Sequence, residues 1–214
     1  MQIAILGTGR MAKGIAWALR DTPHDLTLAS RDAARAEVLA REMTAENARK
    51  FHGATYAAAA ARADVTFLAV PWAAAAGVVE SLRDALAERV LVDLTNPLNE
   101  RFDGLLVGDG TSGSEELART VGPRVRLVAA LKNTFAGTFA EPHLSGGPAP
   151  DVLIAGDDAA AKDEVARLVE AMGFGALDAG PLAVARTIER MTVLLIQLAT
   201  KNHWNWNAGF KLVH

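Results

Sequence analysis

Gln2-Ile3-Ala4-Ile5-Leu6-Gly7-Thr8-Gly9-Arg10-Met11-Ala12 is the stretch that decides the fold. A short apolar run reads as a buried strand, two glycines turn the chain, and an alanine-rich run then opens a helix. Gly7 to Ala12 fits G-x-G-x-x-G/A, and the residue types have physical reasons. Gly7 permits a tight turn, Gly9 lets the backbone approach a diphosphate, and Ala12 lets the helix pack closely on the strand. The free amides of the first helical turn then face an anion, with the helix dipole adding to the attraction. Thr8 and Arg10 can add a hydroxyl and a cation, and Met11 completes the turn.

Outward from this turn, β-type runs alternate with helical ones. Strands are expected at Gln2–Leu6, Asp25–Ser30, 54–56, 64–70, 90–95, 125–131, 151–155 and 175–178, and helices at 11–20, 33–43, 72–86, 115–121, 159–172 and 181–200. Strands of nearly continuous apolar residues between helices require a parallel sheet covered on both faces. The fold class is therefore α/β: a Rossmann-type, doubly wound, mainly parallel sheet with a small C-terminal α/β extension. Residues 141–150, with Gly146, Gly147 and three prolines, read as a boundary. It divides a dinucleotide-binding domain (1–140) from a smaller subdomain (141–214) that completes the cleft.

The end of the second strand selects the nucleotide. An NAD site wants a carboxylate there for the ribose hydroxyl. Here stand Ser30 and Arg31, with Arg35 one turn further on. A hydroxyl and two guanidinium groups suit a 2′-phosphate, so the expected cofactor is NADP(H). Asp32 is the discordant residue: a carboxylate that took the ribose instead would relax this preference. In an open parallel sheet, ligands sit beyond the carboxyl ends of the strands. Those ends carry Val70-Pro71, Asn96-Pro97 and Lys132-Asn133-Thr134-Phe135. Their amides and hydroxyls could hold a ribose or a carboxamide, and Asn-Pro is also a common turn starter.

Composition narrows the function classes. The chain has 214 residues, half of them hydrophobic, which is ample for a real core. The net charge of −3 disfavours nucleic acid and anionic membranes as partners. With no cysteine, thiol catalysis and zinc-thiolate sites are excluded. No run is apolar and long enough for an export signal or a membrane span, so a cytoplasmic protein is expected. His24, His52, His143, His203 and His214 show no metal-ligand spacing and no metal site is expected. Of these, only His143 could overhang the cleft and donate a proton. Asp157 and Asp158 read as helix caps. The helix at 181–200 carries a core stripe that Val193, Leu194 and Ile196 widen, which motivates a homodimer. Trp204 and Trp206, in a polar tail, read equally as packing on the sheet edge and as a substrate lid or subunit contact.

Three longer stretches carry a resemblance: LKNTFAGTF (131–139), PDVLIAGDDAAAK (150–162) and GFGALDAGPLAVARTIE (173–189). With GTGRMAKGIA (7–16) and ASRD (29–32), they make the chain resemble the NADPH-dependent coenzyme F420 reductases. The soluble domain of the STEAP metalloreductases is similar. The resemblance implies direct hydride exchange between nicotinamide and the deazaflavin F420, a small-molecule co-substrate. No side chain would act as a nucleophile, so no catalytic residue is expected. Carried over by position, Gly7, Thr8, Gly9, Arg10 and Met11 would surround the diphosphate. Ser30, Arg31 and Arg35 would hold the 2′-phosphate, and Val70, Pro71, Asn96, Pro97, Asn133, Thr134 and Ala136 would line the groove. Two rivals remain at this level. An imine or β-hydroxyacid reductase usually needs a large helical domain after the sheet, for which the stretch beyond Pro150 is short. A non-catalytic NADP sensor would present the same groove.

Overall fold

The computed structural model describes residues 1–47, 49–143 and 146–213. Residues 144 and 145 of the expected boundary, and His214, lie outside the described residues. Among the described residues, eight strands form one sheet in the order β3-β2-β1-β4-β5-β6-β7-β8. They are β1 (Gln2–Leu6), β2 (Asp25–Ser30), β3 (His52–Thr55), β4 (Val65–Leu68), β5 (Val90–Asp93), β6 (Arg126–Ala129), β7 (Asp151–Gly156) and β8 (Gly175–Gly180). All neighbours pair in parallel except β6 and β7, which run antiparallel. The last two strands thus extend the same sheet.

Central strands are buried along their whole length because helices cover both faces. Every residue of β4 (VTFL) and β5 (VLVD) is buried. Two apolar cores result, one on each face. Ile3, Ile5, Phe67 and Val92 belong to one, while Ala4, Leu6, Leu68 and Leu91 belong to the other. This alternation is the period-two geometry of a strand.

The helices are α1 (Arg10–Ala18), α2 (Ala33–Glu46), α3 (Tyr56–Ala60), α4 (Trp72–Ser81), α5 (Gly113–Val121), α6 (Ala159–Ala171) and α7 (Ala185–Lys201). Local chemistry explains most starts. Asp32 caps α2 by accepting from Ala34 N at 3.0 Å, and Asp158 caps α6 by accepting from Ala161 N at 2.8 Å. Ser112 and Glu115 form a reciprocal cap on α5.

Several boundaries differ from those read in the sequence. The third strand is His52–Thr55 rather than 54–56, because Thr55 accepts from Ala58 N and starts the short α3. The helix from Trp72 ends at Ser81, and irregular turns carry Leu82 and Leu86 into the core before β5. Pro181 stays extended, so a 3-10 turn at Leu182–Val184 precedes α7. Asp157 accepts from Leu182 N at 2.9 Å and caps that turn, while Asp158 alone caps α6.

Candidate functional site

The strand order reverses between β1 and β4: the chain winds from β1 to β3 in one direction, then returns to place β4 on the other side of β1. The helices that follow β1 and β4 diverge there, which leaves a crevice at the carboxyl ends of the strands. A cleft of about 1370 Å³ occupies this position.

Its floor is the glycine turn. Gly7 has φ +136° and packs so closely on β4's exit that an added Cβ would lie 2.2 Å from the Ala69 carbonyl oxygen. No residue with a Cβ fits that junction. Gly9 differs: it is exposed to the cleft, and an added Cβ would meet nothing within 4 Å. Gly9 caps α1 without any side-chain hydrogen bond, so the first-turn amides of α1 stay free for an anion. The cleft therefore offers open space directly in front of a helix N-terminus, as a diphosphate requires.

Four cations, Arg10, Lys13, Arg31 and Arg35, line the cleft, alongside the carboxylates Asp32, Glu42 and Glu46. Asp32, the discordant carboxylate, is engaged by the α2 amide of Ala34. Ser30 also lines the cleft, but its hydroxyl donates to Asp32 O at 2.6 Å and accepts from Asp32 N at 3.0 Å. Its one proton serves the turn in this structure. Arg31 and Arg35 line the cleft beside it. Tyr56, at the start of α3, also lines the cleft and was not anticipated. Burial pushes its phenol above the ordinary tyrosine value, against the opposing pull of Arg31 and Arg35.

Farther along, Val70, Pro71, Asn96, Thr134 and Ala136 line the cleft as expected. Two expected residues do not. Asn133 is buried at 1% exposure and points into the sheet: its Nδ2 donates to Asp151 O at 2.7 Å and its Oδ1 accepts from Leu153 N at 3.3 Å. Antiparallel β7 pairs with β6 only at Ala155 and Gly156, so its first residues run past the end of β6, and Asn133 satisfies backbone groups there. Pro97 is buried against Gly113, where an added Cβ would lie 3.1 Å from its ring, and it is Leu98 that reaches the cleft. His143, for its part, lies outside the cleft lining, with Nδ1 3.2 Å from Gly147 O.

The opposite end of the cleft is aromatic. Trp206 stands edge-on to Phe135 at 5.4 Å between ring centroids and to Phe102 at 6.2 Å, and all three line the cleft. Trp206 is 45% exposed. Of the readings open for the tail, the structure takes Trp206 to the cleft mouth, on a wall of flat rings. The tail is anchored on either side of it: Ala208 is buried with Phe135, Leu195, Ile196 and Ala199.

Among the described residues, no cluster of three or more potential metal ligands occurs and no helix is long and apolar enough to cross a membrane.

Comparison with known proteins agrees with this geometry. The family model described as NADP oxidoreductase, coenzyme F420-dependent, matches residues 2–97. The F420-dependent NADP reductase of Methanothermobacter marburgensis is 35% identical, with 100% of this chain and 99% of that one covered. A crystal structure from Arthrobacter sp. FB24, provisionally named an F420-dependent NADP reductase, superposes with a TM-score of 0.85 at 29% identity, covering 100% of both chains. The rat metalloreductase STEAP3 is 30% identical over 91% of this chain but only 37% of its own length. With an archaeal relative matched end to end at this identity, the chain belongs to the family of F420-dependent NADP reductases.

Proposed function

We propose that the protein moves a hydride between NADP(H) and a flat heteroaromatic acceptor, coenzyme F420 foremost. The observation that carries this reading is the pairing, within one cleft, of a cation-flanked phosphate turn at one end with the Phe102–Phe135–Trp206 wall at the other. When bound, the two coenzymes supply the chemistry, with hydride passing between nicotinamide C4 and deazaflavin C5 and a proton balancing the reduced deazaflavin. The protein's part is to bind, to align and to keep water out. Thr8, Arg10 and Met11 bind the diphosphate beside Gly7 and Gly9, and Arg31 and Arg35 select the 2′-phosphate. Val70, Pro71, Asn96, Thr134 and Ala136 hold the nucleoside halves in register.

In this reading, residues 1–140 bind the dinucleotide and residues 141–214 complete the cleft, supported by Asn205 and Trp206 lining it. A homodimer in the cytoplasm belongs to the same reading. Leu194, 48% exposed on α7, supports a subunit contact there, and light scattering at micromolar concentration tests it.

The decisive experiment mixes purified protein with NADPH and oxidised deazaflavin and follows loss of the deazaflavin absorbance. Turnover supports the proposal. Turnover with flavin or a quinone alone overturns the acceptor, and tight NADPH binding without any turnover overturns the enzymatic reading.

A further inference from the structure

Beneath the cleft lies a charge cluster that hydride transfer itself does not use. Asp93 ends β5, Lys132 follows β6 and Glu189 lies on α7, and all three are buried. Lys132 Nζ is 2.8 Å from Asp93 Oδ2 and 3.0 Å from Glu189 Oε1. The carboxylates have further partners. Thr95 N and Oγ1 donate to Asp93 Oδ1 at 2.9 and 2.7 Å, and Ser114 Oγ donates to Oδ2 at 2.6 Å. Gly113 N and Ser114 N, in the first turn of α5, donate to Glu189 at 2.9 and 3.3 Å. Burial works against the charge on Lys132, but Asp93 and Glu189 together outweigh it and hold the ammonium above its ordinary value. Buried ion clusters contribute little stability relative to well-packed apolar side chains. A role in positioning fits such a cluster better than a role in stability.

Lys132 grips the turn after β5 at two successive residues. Its ammonium donates to the Thr95 carbonyl, and its own carbonyl accepts from Asn96 Nδ2 at 2.9 Å. Thr192 Oγ1 on α7 donates to the same carbonyl at 2.9 Å, which ties the grip to that helix. Both Thr95 and Asn96 line the cleft. An asparagine side chain has a donor end and an acceptor end. One N–H of its NH₂ is engaged by the Lys132 carbonyl, which fixes the orientation of the amide, and its Oδ1 is buried without a hydrogen-bond partner. A buried acceptor left without a donor is costly, so the site is suited to a ligand that brings an N–H or O–H.

We propose that Lys132 is a positioning residue that fixes Asn96 Oδ1 as the acceptor for the carboxamide N–H of a bound nicotinamide. This rests on the NADP(H) reading above. Arg31 and Arg35 follow β2, on one side of β1, and Asn96 follows β5, on the other. A dinucleotide anchored by its adenosine phosphate at the first must extend its nicotinamide half toward the second. A ribose hydroxyl is the competing donor, and it is unchanged in a cofactor whose carboxamide is replaced.

The test compares binding of NADP⁺ with that of its 3-acetylpyridine analogue, in which a methyl group stands where the amide NH₂ was, by calorimetry. The wild-type protein is expected to bind NADP⁺ about tenfold more tightly, the scale of one hydrogen bond to a buried acceptor. Asn96→Ala and Lys132→Met should each reduce that preference to less than about threefold, because one removes the acceptor and the other releases it. Where Lys132→Met does not fold, Lys132→Met/Glu189→Gln keeps the cluster's single net negative charge and is read in the same way. Equal wild-type affinities, or a preference that survives Asn96→Ala or the folded Lys132 variant, would overturn the proposal. Failure of the wild-type protein to bind either nucleotide is a different result: it overturns the NADP(H) reading itself.

Discussion

Gly14 and Phe139 are packed so closely that a methyl group on Gly14 would stand 2.7 Å from the Phe139 ring. The contact joins α1, whose tip faces the open floor of the cleft, to the 3-10 turn at Ala136–Phe139 on the far wall. Both residues line the cleft, so their separation helps set its width. Gly14→Ala should lower the unfolding free energy by about 1–3 kcal/mol through overpacking. Adding Phe139→Leu should recover part of that loss, because the two sites share one contact. Urea denaturation of the single and double variants measures both effects, and strict additivity would contradict the packing argument.

Gly9→Ala should behave in the opposite way. Nothing lies within 4 Å of the added Cβ, so stability should change by less than about 0.5 kcal/mol. The methyl group enters the space in front of the α1 amides, so affinity for NADP⁺ should fall by about tenfold or more. Calorimetry alongside urea denaturation separates the two, and a variant that binds normally would remove the diphosphate from this turn.

Arg31→Ala should weaken NADP⁺ by about tenfold or more, the value of a charge-assisted hydrogen bond, and leave NAD⁺ within about twofold. Arg35→Ala should act in the same direction. Equal losses for the two nucleotides would dismiss the 2′-phosphate assignment.

Trp206→Ala should raise the KM for the deazaflavin several-fold and leave the affinity for NADP⁺ unchanged. The ring stands with Phe102 and Phe135, away from the arginines that follow β2. Steady-state kinetics with each substrate varied in turn reads the difference, and an unchanged KM would take the acceptor away from the aromatic wall.

Arg186 holds Glu115 through a two-bond contact, 2.8 Å at the Nε end, and this hydrogen-bonded guanidinium keeps the carboxyl below its usual range against the opposing effect of burial. A lowered carboxyl value means that the stabilisation is complete above the usual glutamate range and drains as pH falls through the lowered value. Wild-type protein should therefore exceed Glu115→Gln in stability at neutral pH, and the gap should narrow on acidification. Melting curves from neutral to acid pH test this, and a gap independent of pH would contradict it.

The sheet and the phosphate turn were legible because both are local: Ile3 to Leu6 alternate between two cores, and Gly7 and Gly9 sit where a tight turn must be. The arginines after β2 were legible for the same reason. Asn133 was misread because its partners, Asp151 O and Leu153 N, belong to a strand whose antiparallel direction carries no local signal. The hydrogen bonds between the Ser30 hydroxyl and its own turn were not legible. The Asp93–Lys132–Glu189 cluster was invisible, since three charges from separate elements meet only after the sheet and α7 have packed. In the sequence Glu189 stands between Ile188 and Arg190 with nothing local to mark it.

Asp151 has a second office besides starting β7. Its backbone N–H donates to Phe210 O at 2.8 Å, and its carboxylate takes Lys211 Nζ at 2.6 Å and Leu212 N at 2.8 Å. Trp206 is therefore slung between two moorings, α7 upstream and this knot downstream. Asp151→Ala, or deletion of the chain from Lys211 onward, would remove the carboxylate's two holds and leave the Asp151 N–Phe210 O bond and the buried Ala208 as the downstream tether, slackening the aromatic wall without touching any residue that lines the cleft.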